Sequence, residues 1–305
     1  MLFLPFNFLF CSLVCAKCDS PFEYIKTSGD IIMLRSNCHT HTVFCDGTNS
    51  PSEMAAAAEA LGFESLGFSA HSPFSLEKSY ALDKKRVGVY IDEIKRLKNE
   101  YSGRLEIVNG IELDADSTGF DTSKFDFVIG SVHQLHFENR TYSVDYTPQM
   151  LSECSKKEFD GSFLKLAEFY YSAVAEHICK RKPEVVGHFD LIEKFNENQA
   201  LFDSSDPKYQ KTALEFAERI CDELPNVIFE VNTGAMFRCG RSVPYPAKFI
   251  LKYLHDKKMR ITVTSDAHCV EALNFGFEKA SELCRDCGFK TQFAVFGDEF
   301  EERAL

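Results

Sequence analysis

Strand and helix alternate along this chain with a regularity that leaves few folds open. Apolar runs at 65–70, 106–111, 125–132, 184–187, 227–231 and 261–265 join the run that ends at Asn37 to make seven strand-then-helix units. Strands separated by helices pair in parallel with the helices outside. At least six of the seven strands carry His, Asp, Glu or Asn at the C-terminal end. An open doubly wound sheet gathers its ligand at one switch point. A ring collects residues from every strand at the face where barrel active sites lie. The expected fold is α/β, a single-domain barrel.

The helices carry legible ends. Ser50-Pro51-Ser52-Glu53 reads as an N-cap, a proline at N1 and an acid in the first turn, and Gly62 as the stop. Further helices are expected over 84–100, 162–180, 207–223, 246–255 and 270–287, with a last apolar segment at 292–296. Residues 134–160 are polar and read as an irregular lid or substrate loop.

The chemistry starts at Asn37-Cys38-His39-Thr40-His41-Thr42-Val43-Phe44-Cys45-Asp46-Gly47. Residues two apart on a strand point the same way, so His39 and His41 offer two imidazole nitrogens to one ion. The turn at Gly47 brings Asp46 back towards them. By itself this could be two unrelated polar residues at a strand end. Six of the nine histidines, however, stand at such ends: His39, His41, His71, His133, His188 and His268. Glu112 and Asn232 close two further strands, while His177 and His255 lie on helices and read as packing or surface residues. With Asp46, Glu112 and Asp266, this is too many ligands for one tetrahedral ion. It suits two or three divalent ions, zinc, manganese or iron, sharing a bridging carboxylate. Arg238 and Arg241 follow the sixth strand, where a guanidinium can clamp a phosphate.

The 305 residues carry a formal charge of -12, which argues against nucleic acid or an anionic membrane as the main partner. Twelve cysteines are scattered through core elements, the habit of reduced thiols in a cytoplasmic protein rather than of a disulfide framework. The pairs Cys15/Cys18 and Cys284/Cys287 read as scattered thiols in preference to a zinc site. Residues 1–32 are apolar at first but lack a positive n-region, a cleavage site and the length of a membrane span. They read as an N-terminal extension upstream of a natural start at Met33, with a signal or anchor as the alternative; residues 33–305 read as the folded domain.

His39-Thr40-His41 with Asp46-Gly47, Ser69-Ala70-His71, Gly110-Ile111-Glu112, Ser131-Val132-His133, Gly187-His188-Phe189-Asp190 and Ser265-Asp266-Ala267-His268 form an ordered set. Over about residues 34–296 the chain resembles the polymerase-and-histidinol-phosphatase (PHP) superfamily of metal-dependent phosphoesterases. Asn232-Thr233-Gly234, Arg238, Arg241, Pro244-Tyr245-Pro246 and Asp190-Leu191-Ile192-Glu193-Lys194-Phe195 point to its monofunctional bacterial histidinol-phosphatase branch. The resemblance implies a distorted TIM-like (β/α)7 barrel holding three metal ions. It groups His39, His41, Glu112 and Asp266 at one ion, Asp46, His71 and His268 at a second, and Glu112, His133 and His188 at a third. It implies hydrolysis of L-histidinol phosphate by water, with Asp190, His268 or a metal-bound water protonating the leaving group and Arg238, Arg241, Asn232 and Lys194 binding substrate. The rivals are a superfamily phosphoesterase for another small ester or nucleotide, and a non-catalytic metal-binding module.

Overall fold

The computed structural model describes residues 36–74 and 80–305. Residues 1–35, and with them the N-terminal extension and Cys15/Cys18, lie outside the described residues. Seven parallel strands are arranged in the order β1 (Ser36–Asn37), β2 (Ser65–His71), β3 (Glu106–Asp114), β4 (Phe127–Ser131), β7 (Val185–Val186), β8 (Ile228–Asn232) and β9 (Arg260–Thr264). The ring closes just beyond the strands. Thr40 bridges Ala267, the His41 amide donates to the Ala267 carbonyl at 2.7 Å, and the Ala267 amide donates to the His39 carbonyl at 3.1 Å. The expected (β/α)7 barrel is present, and these closing bonds run between the loop of His39–His41 and Ala267.

The helices are α1 (Pro51–Ala60), α2 (Val87–Glu100), α3 (Pro148–Glu158), α4 (Phe163–Arg181), α5 (Pro207–Glu223), α6 (Gly234–Cys239), α7 (Lys248–Asp256) and α8 (Phe277–Asp286). Local chemistry sets several of their starts. At α1 the Ser50 hydroxyl accepts from the Glu53 amide while the Glu53 carboxylate accepts from the Ser50 amide at 2.7 Å, a reciprocal capping box. Asp206 caps α5 ahead of Pro207.

Three expectations need correction. Residues 134–160 are not irregular. They form the antiparallel hairpin β5 (Gln134–Phe137) and β6 (Arg140–Ser143), turned at Glu138-Asn139, and then α3, capped by Thr147 ahead of Pro148. Phe137, packed on Phe159 and Phe169 with ring centroids 5.7 and 4.9 Å away, gives the hairpin an apolar face that four-residue strands hardly signal in sequence. The expected helix over 270–287 is interrupted, because Gly276 sits at φ 75° and α8 starts only after it. The apolar segment at 292–296 is one arm of a second hairpin, β10 (Thr291–Phe296) with β11 (Glu299–Ala304).

That second hairpin seals the N-terminal end of the barrel. Val295 is buried among Cys38, Val108, Phe127, Ile129, Val185 and Ile228, with Phe293 and Phe300 packed against them. The Phe127 ring fills the space over β3 at Gly110, where an added Cβ would meet its Cζ at 2.2 Å. Gly110→Ala should therefore destabilise the barrel by about 1–3 kcal/mol through overpacking. The check is the denaturant midpoint, with partial recovery expected in the Gly110→Ala/Phe127→Leu double variant.

Candidate metal centre

Parallel strands ending on one rim bring distant residues together, and the rim here is lined by imidazoles and carboxylates. Glu112 stands at the centre. It is fully buried on β3, and its two oxygens face different neighbours. Oε2 lies 2.7 Å from His71 Nδ1, 3.4 Å from His39 Nε2 and 3.6 Å from His41 Nε2. Oε1 lies 3.0 Å from His188 Nε2 and 3.5 Å from His133 Nε2. Asp266 Oδ1 is 3.2 Å from His41 Nε2 and 3.6 Å from His39 Nε2. Asp46 Oδ1 is 3.3 Å from His268 Nε2 and 3.6 Å from His71 Nε2. All nine expected ligands thus converge.

The donor set fits cations. His39 Nε2, His41 Nε2, His71 Nδ1 and Glu112 Oε2 are buried and lack any hydrogen bond of proper geometry. Leaving a buried polar atom unpaired costs roughly 1–3 kcal/mol. Three overlapping groups come within coordinating reach: His41, Asp46, His71 and His268; His39, His41 and Glu112; His71, Glu112 and His133. His41 thus belongs to two of them, where the expected grouping gave it one. Oxygen and imidazole donors in this mixture suit zinc, manganese or iron.

Residues behind the ligands set their tautomers. His39 Nδ1 is held by Glu230 Oε1 at 2.5 Å, and His133 Nδ1 by Asp114 Oδ2 at 2.7 Å, so in both rings Nε2 is bare toward the centre. Glu230 also accepts from the His188 amide (2.6 Å), the Thr264 hydroxyl (2.6 Å) and the Asn232 amide group (3.0 Å). Neither Glu230 nor Asp114 was among the expected site residues. The clue to Glu230 was a carboxylate inside the apolar run Val227–Val231, and that to Asp114 its place two residues beyond Glu112 on the same strand face.

Other expected residues are placed as follows. Arg238 reaches the cluster: Nη2 donates to Asp266 Oδ2 and Nη1 to the Asp266 carbonyl, both at 2.7 Å. It lies on α6, a short helix directly after β8. Lys194 pairs with Asp145 at 3.1 Å. Asn232 is buried and used up internally, donating to Glu230 and to Asp266 and accepting from the Gly234 amide. It orients Asp266, a non-glycine residue at φ 47°. Arg241 does not join the cluster. Its guanidinium donates to the Glu193 carbonyl and stacks 5.0 Å from the Tyr245 ring, fixing the 240–247 loop. Asp190 lies apart from the cluster as well. It is fully buried, accepts from the Ala247 amide at 2.8 Å, and has no cluster residue among its hydrogen-bond partners. Burial, and next the Glu193 charge, push its carboxyl up to about 7.

Charge in the cluster is shared between acids and imidazoles. Burial works against ionising His39 and His71. The Glu230, Asp266 and Glu112 carboxylates outweigh it at His39, and those of Glu112 and Asp46 at His71, so both rings titrate well above the usual range. In the same contest Glu112 and Asp114 push His133 up to about 9. His41 is the opposite case, lowered to about 3 by burial and then by the neighbouring His268 and His71.

The chain matches the PHP domain family over residues 37–234. It belongs to that family. Among curated relatives, a Deinococcus radiodurans protein described as a probable histidinol-phosphatase is 28% identical over 269 residues, covering 83% of this chain and 94% of the relative. The histidinol-phosphatase of Bacillus subtilis is 27% identical over 278 residues, covering 83% of this chain and 100% of the relative. Among solved structures, the histidinol phosphate phosphatase of Lactococcus lactis, complexed with zinc, L-histidinol and phosphate, superposes with a TM-score of 0.66. It is 19% identical, covering 88% of this chain and 100% of that one, a likeness of fold.

Two outcomes follow for this PHP centre. A cation must displace protons from His39, His71 and His133, so its affinity should weaken as pH falls below about 9. Chelator competition with manganese at pH 8.5 and pH 6.5 reads this, and equal affinities would contradict it. Glu230→Gln should weaken cation binding roughly tenfold to a hundredfold with the fold retained, because it loosens His39 without removing a ligand.

Proposed function

We propose that this protein is a metal-dependent phosphoric monoester hydrolase that converts L-histidinol phosphate and water to L-histidinol and phosphate in histidine biosynthesis. The observation that carries the chemistry is the gathering of nine imidazole and carboxylate side chains, Glu112 at their centre, with Arg238 at their edge. Support for the substrate is the naming of the Bacillus subtilis relative, matched over its whole length. Bound in this cluster, two or three divalent cations supply Lewis-acid activation of water and neutralise charge on the phosphoryl group.

The chain's own residues do the rest. His39, His41, Asp46, His71, Glu112, His133, His188, Asp266 and His268 hold the cations, and Glu230 and Asp114 fix the ring tautomers. Arg238, partly buried at the edge of the cluster beside Asp266, would bring paired N–H donors to phosphoryl oxygens. Lys194 adds a second positive charge from the turn after β7. The leaving alkoxide needs a proton, and His268, 19% exposed in its side chain, is the better donor because Asp190 is buried elsewhere. Attack by water needs no serine or cysteine nucleophile, and no such residue is among the cluster's side chains.

Residues 33–305 make up the catalytic unit in this reading, with 1–32 an extension outside it. Small phosphate esters, not nucleic acid, are the partners, in keeping with the charge of -12. No helix among the described residues is long and apolar enough to cross a membrane, and the nine cysteines among them are free thiols, which supports a cytoplasmic place.

The test is phosphate release from L-histidinol phosphate beside p-nitrophenyl phosphate and a nucleotide, using protein loaded with manganese or zinc and a chelated control. A strong preference for histidinol phosphate, lost on chelation, is expected. Chelator-sensitive turnover of the other esters alone would overturn the substrate and keep the chemistry. Binding of metal without any turnover would favour a non-catalytic module. His39→Ala and Asp266→Ala should each abolish turnover while the fold persists by circular dichroism.

A further inference from the structure

The lid hairpin carries a carboxylate that the metal cluster does not use. Beyond β6 the Val144 amide donates to the His133 carbonyl at 2.9 Å, so the chain comes back beside a cluster histidine with Asp145 as its next residue. The Asp145 carboxylate accepts from the Ser143 hydroxyl at 2.9 Å and pairs with Lys194 Nζ at 3.1 Å. Lys194 follows the short turn Leu191–Glu193 that leaves the His188 strand, so the ion pair joins lid to rim. The side chains are 27% and 11% exposed, partly dehydrated yet open to a ligand.

A carboxylate in such a place is unfavourable for a site that takes phosphate alone, since it repels the incoming dianion in a partly dehydrated setting. It becomes useful when the substrate brings a cation of its own. We propose that Asp145 is a specificity-determining residue that binds the ammonium group of an amino-alcohol phosphate, giving up Lys194, which turns to the phosphate. The idea rests on the phosphomonoesterase reading above and deepens it. A zwitterionic substrate supplies both signs, so each member of the pair changes partner and neither charge is left unpaired. An ester without the amine occupies Lys194 but strands Asp145, and discrimination against it comes from that unpaired charge.

The experiment compares L-histidinol phosphate with 3-(imidazol-4-yl)propyl phosphate, the same ester without its amine, in wild-type and Asp145→Asn enzyme loaded with manganese. The readout is the ratio of kcat/KM for the two esters. Asp145→Asn should lower that ratio roughly tenfold or more, and Asp145→Glu should restore part of it. Inhibition by L-histidinol should weaken by a similar factor, while inhibition by inorganic phosphate should hold or tighten as Lys194 is released. A ratio within twofold of wild type overturns the proposal, whatever the absolute rates. A wild-type enzyme indifferent to the amine overturns the amino-alcohol reading itself; a wild-type preference that Asp145→Asn keeps overturns only the role of Asp145. Lys194→Gln guards against a variant that fails to fold. It should weaken inhibition by inorganic phosphate and leave that by L-histidinol equal or tighter, and a parallel loss of both would count against partner exchange.

Discussion

A buried carboxylate is costly unless something of opposite charge stands beside it, and Glu112 sets that condition for the whole rim. It sits fully buried on β3 with five histidines from four strand ends around its two oxygens. Hydrogen bonds do not satisfy this arrangement, because four of the buried polar atoms facing the centre have none. Protonated imidazoles can balance part of the charge, and cations can do so without protons. The same electrostatic demand explains why Glu112 is held ionised against its burial, chiefly by His71 and His39.

The barrel meets this demand at little cost to its core. Apolar side chains and the terminal hairpin fill the N-terminal end, where Val295 and Phe127 pack. The C-terminal end is left polar, and the ring is closed there by backbone bonds between the His39–His41 loop and Ala267. Closure and ligation are thus properties of the same residues. Glu230 extends the coupling, since one carboxylate holds His39, the backbone of His188, Thr264 and Asn232 together. Further charge is arranged around this set, on α6 with Arg238 beside Asp266, and on the turn after β7 with Lys194 paired to Asp145 beyond the hairpin.

The ligands were legible because strand ends are local events. An apolar run that stops at His71, Glu112, His133 or His188 shows both the strand and the polar residue on its rim, and parallel topology does the rest. Helix starts were equally readable, as Ser50-Pro51 and Pro207 show. The lid hairpin was not, because its strands are four residues long and draw their stability from the aromatic contacts of Phe137 with α3 and α4 neighbours. The break at Gly276 was hidden for a related reason, since one glycine inside a helical pattern does not announce a left-handed conformation.

By itself the amino-acid sequence determined the barrel class, the seven-strand repeat and the nine imidazole and carboxylate side chains that gather on the rim, because each depends on short-range pattern and on the type of residue at a strand end. Only the tertiary structure decided what the remaining polar residues do. Arg238 and Arg241 stand three positions apart, yet one reaches Asp266 and the other is tied to the Glu193 carbonyl. Asp190 shares a segment with His188 but turns to the Ala247 amide. Glu230 looked like one charge in an apolar strand until folding placed it behind His39, 191 residues away in the chain. Side-chain partners are chosen by through-space distance and burial, and those are set only when all the strands have closed around the same axis.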